Sequence, residues 1–131
     1  MKTLIVEDDF TNRLLLQEFL RVHGPSHIAV NGKEAVEAVR LALAAGEPYR
    51  LICLDIMMPE LDGQGALKQI RALEQAKGVW STAGAKIVMT TALNSMKDIN
   101  AAFGSLCDGY LVKPIAKTKL FETLRQLNLI N

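Results

Sequence analysis

Cysteine is scarce in this chain: there are only Cys53 and Cys107, both in apolar surroundings and with no CxxC spacing. That excludes a disulfide framework and a thiolate zinc site, and both thiols are expected to be buried and reduced. An excess of either charge is also missing. Fifteen Lys and Arg against 14 Asp and Glu leave a formal net charge of +1, so no global field recruits nucleic acid or an anionic membrane surface. No apolar run approaches the roughly 20 residues of a spanning helix, and Met1-Lys2-Thr3 leads into an apolar segment with no secretory cleavage signal. The expectation is a cytoplasmic protein with neither a membrane nor a nucleic acid as partner. Linkers, low-complexity tracts and internal repeats are absent too, and 131 residues is about one domain's worth, taken as residues 1–131. What is present, 50% hydrophobic and 22% charged residues, is the composition of a packed globular domain.

Two kinds of segment alternate from end to end. Thr3 to Val6, His27 to Val30, Leu51 to Leu54, Ile87 to Thr90 and Tyr110 to Val112 read as strands. The first, third and fourth lack polar alternation, as parallel strands covered on both faces do. Between them, apolar residues recur at helical spacing: Leu15, Phe19 and Val22; Ala35, Val36, Val39 and Leu43; Leu67, Ile70 and Leu73; Met96, Ile99, Phe103 and Leu106; and Leu120, Leu124 and Leu127. Asn31, Asp62 and Ser95 stand where N-caps belong. Five strands alternating with five helices predict an α/β fold, a doubly wound parallel sheet with right-handed crossovers and helices on both faces. Ligands of such sheets bind at the carboxyl ends of the strands.

The residues following the strands are therefore the ones to weigh. Glu7-Asp8-Asp9 follows the first strand, Asp55 the third, Thr91 the fourth and Lys113-Pro114 the fifth. Parallel strands bring all of them to one edge, where three or more carboxylates repel one another unless cations compensate. Lys113 supplies one charge. The donors are oxygens with no His or Cys nearby, so a hard ion such as Mg²⁺ suits the edge better than zinc. Asp9 reads instead as a helix cap.

At this point the motifs become specific. Leu4-Ile5-Val6-Glu7-Asp8-Asp9, Leu54-Asp55-Ile56-Met57-Met58-Pro59 with Asp62-Gly63, Thr90-Thr91-Ala92 and Gly109-Tyr110-Leu111-Val112-Lys113-Pro114 resemble, in order and spacing, the receiver domains of two-component response regulators. The resemblance covers essentially the whole chain. It implies a flavodoxin-like sheet in the order 2-1-3-4-5. It also implies roles: Asp55 as phosphoacceptor, Lys113 as phosphate-pairing cation, Thr91 as switch hydroxyl and Tyr110 as switch aromatic. Mg²⁺ would be held by Asp8, Asp55 and the Met57 backbone carbonyl, and by Glu7 through water, and the Lys113-Pro114 bond would be cis. The implied donor is a sensor histidine kinase or a histidine phosphotransfer protein, and the output is contact with a downstream protein, as a monomer or a phosphorylation-dependent dimer. Such a domain is not an enzyme beyond catalysing its own phosphorylation and dephosphorylation. Met57 and Leu93 stand at the two positions that flank the hydrolytic water in the family, and neither holds water strongly, which implies a long-lived phosphoryl group.

Other readings fit less well. With the last helical pattern running to the chain end, the preferred expectation is a stand-alone receiver, and a receiver fragment of a larger regulator is the alternative. A Mg-dependent phosphatase of the haloacid-dehalogenase type needs a second Asp where this chain has Met57. A flavodoxin-like electron carrier would want Ser, Thr and Gly donors where Glu7-Asp8-Asp9 stands. His23 and His27, around a Gly-Pro turn, read as surface histidines, and Trp80 falls on the edge opposite the carboxylates.

Overall fold

The computed structural model describes residues 1–58, 61–79, 83–91 and 106–131. Its elements are β1 (Thr3–Val6), α1 (Phe10–Leu20), a 3₁₀ turn (Arg21–His23), β2 (Ser26–Ala29), α2 (Gly32–Ala44), β3 (Leu51–Asp55), α3 (Gly63–Ala76), β4 (Lys86–Thr91), β5 (Gly109–Val112) and α4 (Lys117–Gln126). All strand pairs are parallel and the order is β2-β1-β3-β4-β5. The expected topology is the observed one. The fourth predicted helix, with its Ser95 cap, lies outside the described residues apart from Leu106, as do Pro59, Trp80 and Leu93.

Strand residues alternate between two cores. Leu4, Val6, Ile52, Leu54, Ile87 and Met89 pack with Ala35, Val39, Leu67 and Ile70 of α2 and α3. Ile5, Leu51, Cys53 and Val88 point the other way, onto Leu16 and Leu20 of α1 and Leu120 and Leu124 of α4. Burial on both faces is why β1 and β3 carry no polar alternation.

Three helices begin on the caps the sequence places there. The Asp9 carboxylate accepts from Asn12 N at 2.9 Å, Asn31 Oδ1 from Glu34 N at 2.8 Å, and Asp62 Oδ1 from Gly65 N at 2.8 Å. Each accounts for one of the amide donors a helix start leaves unpaired.

Local corrections have physical causes. In α1 the deeply buried residues are Leu16 and Leu20, while Leu15 and Phe19 are only half-buried and Val22 is exposed. Leu14-Leu15-Leu16 is a run of three that leaves the phase of the apolar stripe open, and Val22 falls in the 3₁₀ turn after the helix ends. The second strand runs one residue earlier than its apolar pattern, because the Val30 amide is taken by Glu34 Oε1 at 3.0 Å instead of by the sheet. His27 is exposed, with Nδ1 2.8 Å from the Tyr49 hydroxyl. His23 is half-buried, edge-on to Phe121 with ring centroids 5.0 Å apart. Cys53 is buried and Cys107 half-buried, both as free thiols, and burial pushes the Cys53 thiol up to about 12.

Candidate functional site

The carboxyl edge of the sheet gathers the residues that follow β1, β3, β4 and β5. Glu7 continues β1, its amide donating to Ala29 O at 3.1 Å, and its side chain is 1% exposed. Asp55 is the last residue of β3 and 3% exposed, whereas Asp8 is on the surface. One ligand oxygen from each of these three acids lies within 4.8 Å of the others. Lys113 reaches them from the end of β5, with its ammonium 2.8 Å from Glu7 Oε1 and 3.2 Å from Asp55 Oδ2. The Lys113-Pro114 peptide is cis. Asp55 Oδ1 accepts from the Met57 amide at 3.2 Å, and the Met57 side chain is exposed.

Electrostatics separate the two buried acids. Burial, aided by the neighbouring Glu7, pushes Asp55 up to about 7 against the pull of Lys113. Burial also works to raise Glu7, but hydrogen bonding with Asp55, Lys113 and the Asp9 amide outweighs it and holds Glu7 below its ordinary value. Lys113 is raised despite its burial, because both carboxylates favour its charge.

The site has the chemistry of a hard-cation cradle. Three carboxylates face one ammonium, which lies 2.8 Å from the buried Glu7 Oε1. Oxygen-only donors with surplus negative charge match a magnesium-type ion. Thr91 ends β4 fully buried, one residue beyond the Asp55–Thr90 register pair. Tyr110 is half-buried on β5 and packs against the core under α2 and α3. Asp9 stays out of the cluster and caps α1, as its reading requires.

Two contributors had no role assigned to them from the sequence. Arg13 Nη1 donates to Glu7 O at 3.3 Å from the next turn of α1. Gly63 lies so close to the acceptor strand that a Cβ there would sit 2.2 Å from Asp55 O. Its place directly after the Asp62 cap was the available signal.

A buried aspartate at the end of a central parallel strand, flanked by acids and a lysine, defines an oxygen-donor site suited to a hard cation. The chain belongs to the response regulator receiver domain family, whose sequence profile matches residues 3–125. It is 32% identical over 132 residues to a two-component response regulator of Oryza sativa subsp. japonica, ORR41, covering 98% of this chain and 95% of that protein. It is 34% identical over 128 residues to the osmosensing histidine protein kinase SLN1 of Saccharomyces cerevisiae, covering 96% of this chain but only 10% of that protein. The chain likewise spans 16% to 18% of the sensory/regulatory protein RpfC and the yeast osmolarity protein SSK1. Among solved structures, the receiver domain of the Saccharomyces cerevisiae regulator Ssk1, crystallised with the histidine phosphotransfer protein Ypd1, matches with TM-score 0.80 and 36% identity over 97% of this chain and 88% of that one. The receiver domain of the sensor kinase PA1611 from Pseudomonas aeruginosa, with magnesium in its active-site cleft, matches with TM-score 0.75 and 26% identity over 97% of both chains. No described helix is long and apolar enough to cross a membrane.

Proposed function

We propose that Asp55 accepts a phosphoryl group from a phosphohistidine and that the phosphorylated domain signals, in the cytoplasm, by contact with another protein. The observation that carries this reading is the setting of Asp55: a buried carboxylate with Oδ2 paired to Lys113 and Oδ1 held by the Met57 amide, inside an acidic trio. An Asp55 oxygen attacks phosphorus in line, the P–O bond forms as the P–N bond to the histidine breaks, and the electron pair leaves with the imidazole. Little beyond alignment and neutralisation of charge is required for such a transfer. Asp8 and Asp55, with the Met57 carbonyl and with Glu7 through water, would hold Mg²⁺. When bound, it neutralises charge on the phosphoryl oxygens. Lys113 pairs with a further oxygen. The Thr91 hydroxyl then bonds the phosphoryl group, and Tyr110 turns inward as the switch aromatic, so that a local charge change biases a packing equilibrium. The domain catalyses only its own phosphorylation and dephosphorylation.

The rim supports a helical donor. Phe10 and Leu14 are 63% and 48% exposed one turn apart on α1, and Met57, two residues past the acceptor, is 71% exposed. Exposed apolar residues around an acidic centre suit a histidine phosphotransfer protein or the equivalent part of a kinase, which must bring its phosphohistidine to Asp55. Incubation with Mg²⁺ and acetyl phosphate, read by intact mass, is expected to add one phosphoryl group, and Asp55→Asn is expected to abolish the adduct. An adduct that persists in Asp55→Asn overturns the assignment.

A further inference from the structure

The site leaves one buried ionic cluster unused, at the opposite edge of the sheet. Arg71 of α3 is 10% exposed and divides its guanidinium among four acceptors: Leu106 O at 2.8 Å, Ala85 O at 2.9 Å, Glu74 Oε1 at 2.6 Å and Asp108 Oδ2 at 2.9 Å. Glu74, 3% exposed, accepts from Ala85 N at 2.8 Å through Oε2. Asp108 grips Ile87 twice, its amide donating to Ile87 O at 2.8 Å and its Oδ2 accepting from Ile87 N at 2.8 Å. The same cluster therefore holds the residue before β4 and the residue before β5.

What this controls follows from the topology. β5 has four residues and, among the described residues, only β4 as a neighbour, so few ladder bonds set its register. Asp108 lies immediately before it, and Lys113 immediately after it, with the Lys113 amide on Thr91 O at 2.8 Å. A slip of one residue would move Lys113 by about 3.3 Å and turn each side chain of the strand to the other face. The 3.2 Å contact between Lys113 and Asp55 would not survive it.

We propose that Asp108, held by Arg71, is a positioning residue for phosphoryl transfer, which locks the register of β5 and so places the Lys113 ammonium on Asp55. The inference rests on the role given above to Lys113. Burial of an ion network could instead serve stability alone, and the two cases differ in how the variants combine.

Phosphorylation by acetyl phosphate at saturating Mg²⁺ is measured in Asp108→Ala, Lys113→Ala and the double variant, separating the limiting rate from the donor concentration at half-saturation. Asp108→Ala is expected to lower the limiting rate on the order of tenfold or more, as a misplacement of about 1 Å can, and to have no further effect when Lys113 is already Ala. It should also shift the Lys113 amide resonance at the far end of the strand. If Asp108→Ala does not fold, Asp108→Ser, whose shorter side chain withdraws the acceptor from Arg71 and Ile87 N, is carried through the same cycle. A normal limiting rate in the folded Asp108 variant, or effects that multiply in the double variant, overturns the proposal while leaving Lys113 in its role. A normal limiting rate in Lys113→Ala removes that role and the proposal with it.

Discussion

The Lys113 ammonium lies 3.2 Å from Asp55 Oδ2, yet Asp55 remains raised to about 7. One lysine therefore does not offset burial and the neighbouring Glu7. The folded state holds a proton on Asp55 that an unfolded chain, with the ordinary value of 3.8, releases. This contribution to stability is fully present below about pH 4 and is lost as pH rises through about 7. Glu7, held low, acts with the opposite sign, its contribution being lost as pH falls through its depressed value. In metal-free solution the stability of the wild type relative to Asp55→Asn is expected to fall between pH 4 and 8, and Mg²⁺ to reverse the trend at the alkaline end. Urea titrations across that range check it, and a difference that stays flat would contradict the assigned proton.

The neighbouring acids separate metal binding from helix capping. Asp8→Ala is expected to weaken Mg²⁺ binding strongly, since a magnesium site relies on only one or two carboxylates. Asp9→Ala should leave Mg²⁺ affinity in place and destabilise the fold by about 1 kcal/mol through loss of the cap on Asn12 N. Calorimetric Mg²⁺ titration and thermal melts of both variants distinguish them.

Phosphoryl lifetime is expected to be long, because the Met57 side chain beside Asp55 is exposed but offers water no strong hydrogen bond. Met57→Asn supplies a donor and an acceptor at that rim. Faster phosphate release from the phosphorylated variant is the expected outcome, and unchanged or slower release counts against it.

Gly63 gives a steric test. Its missing Cβ is what lets α3 begin against the acceptor strand, with the Gly63 amide on Ile56 O at 3.0 Å. Gly63→Ala is expected to destabilise the domain by about 1–3 kcal/mol as an overpacked site and to slow phosphorylation by displacing Asp55. Chemical denaturation and phosphorylation rates measured on the same samples would show the two losses together.

Strand count, the parallel direction of the strands, the caps at Asn31 and Asp62, and the gathering of Glu7, Asp8, Asp55, Thr91 and Lys113 at one edge were all legible in the sequence. Each depends on local pattern: apolar runs without alternation demand burial on both faces, and strict alternation of strand and helix brings every strand's end to the same side. The buried face of α1 was not legible, because Leu14-Leu15-Leu16 satisfies more than one phase, and only packing against Ile5, Cys53 and the apolar face of α4 selects Leu16 and Leu20. The Arg71–Glu74–Asp108 cluster was missed for a different reason. Asp108 stands 37 residues beyond Arg71, and the single local hint was Glu74 falling on the buried face of α3 with Leu67 and Ile70. Which acid lies deep was also a tertiary decision: Glu7 and Asp8 are adjacent and chemically alike, but Glu7 prolongs β1 and is buried beside Lys113, whereas Asp8 lies in the bend that follows and faces water.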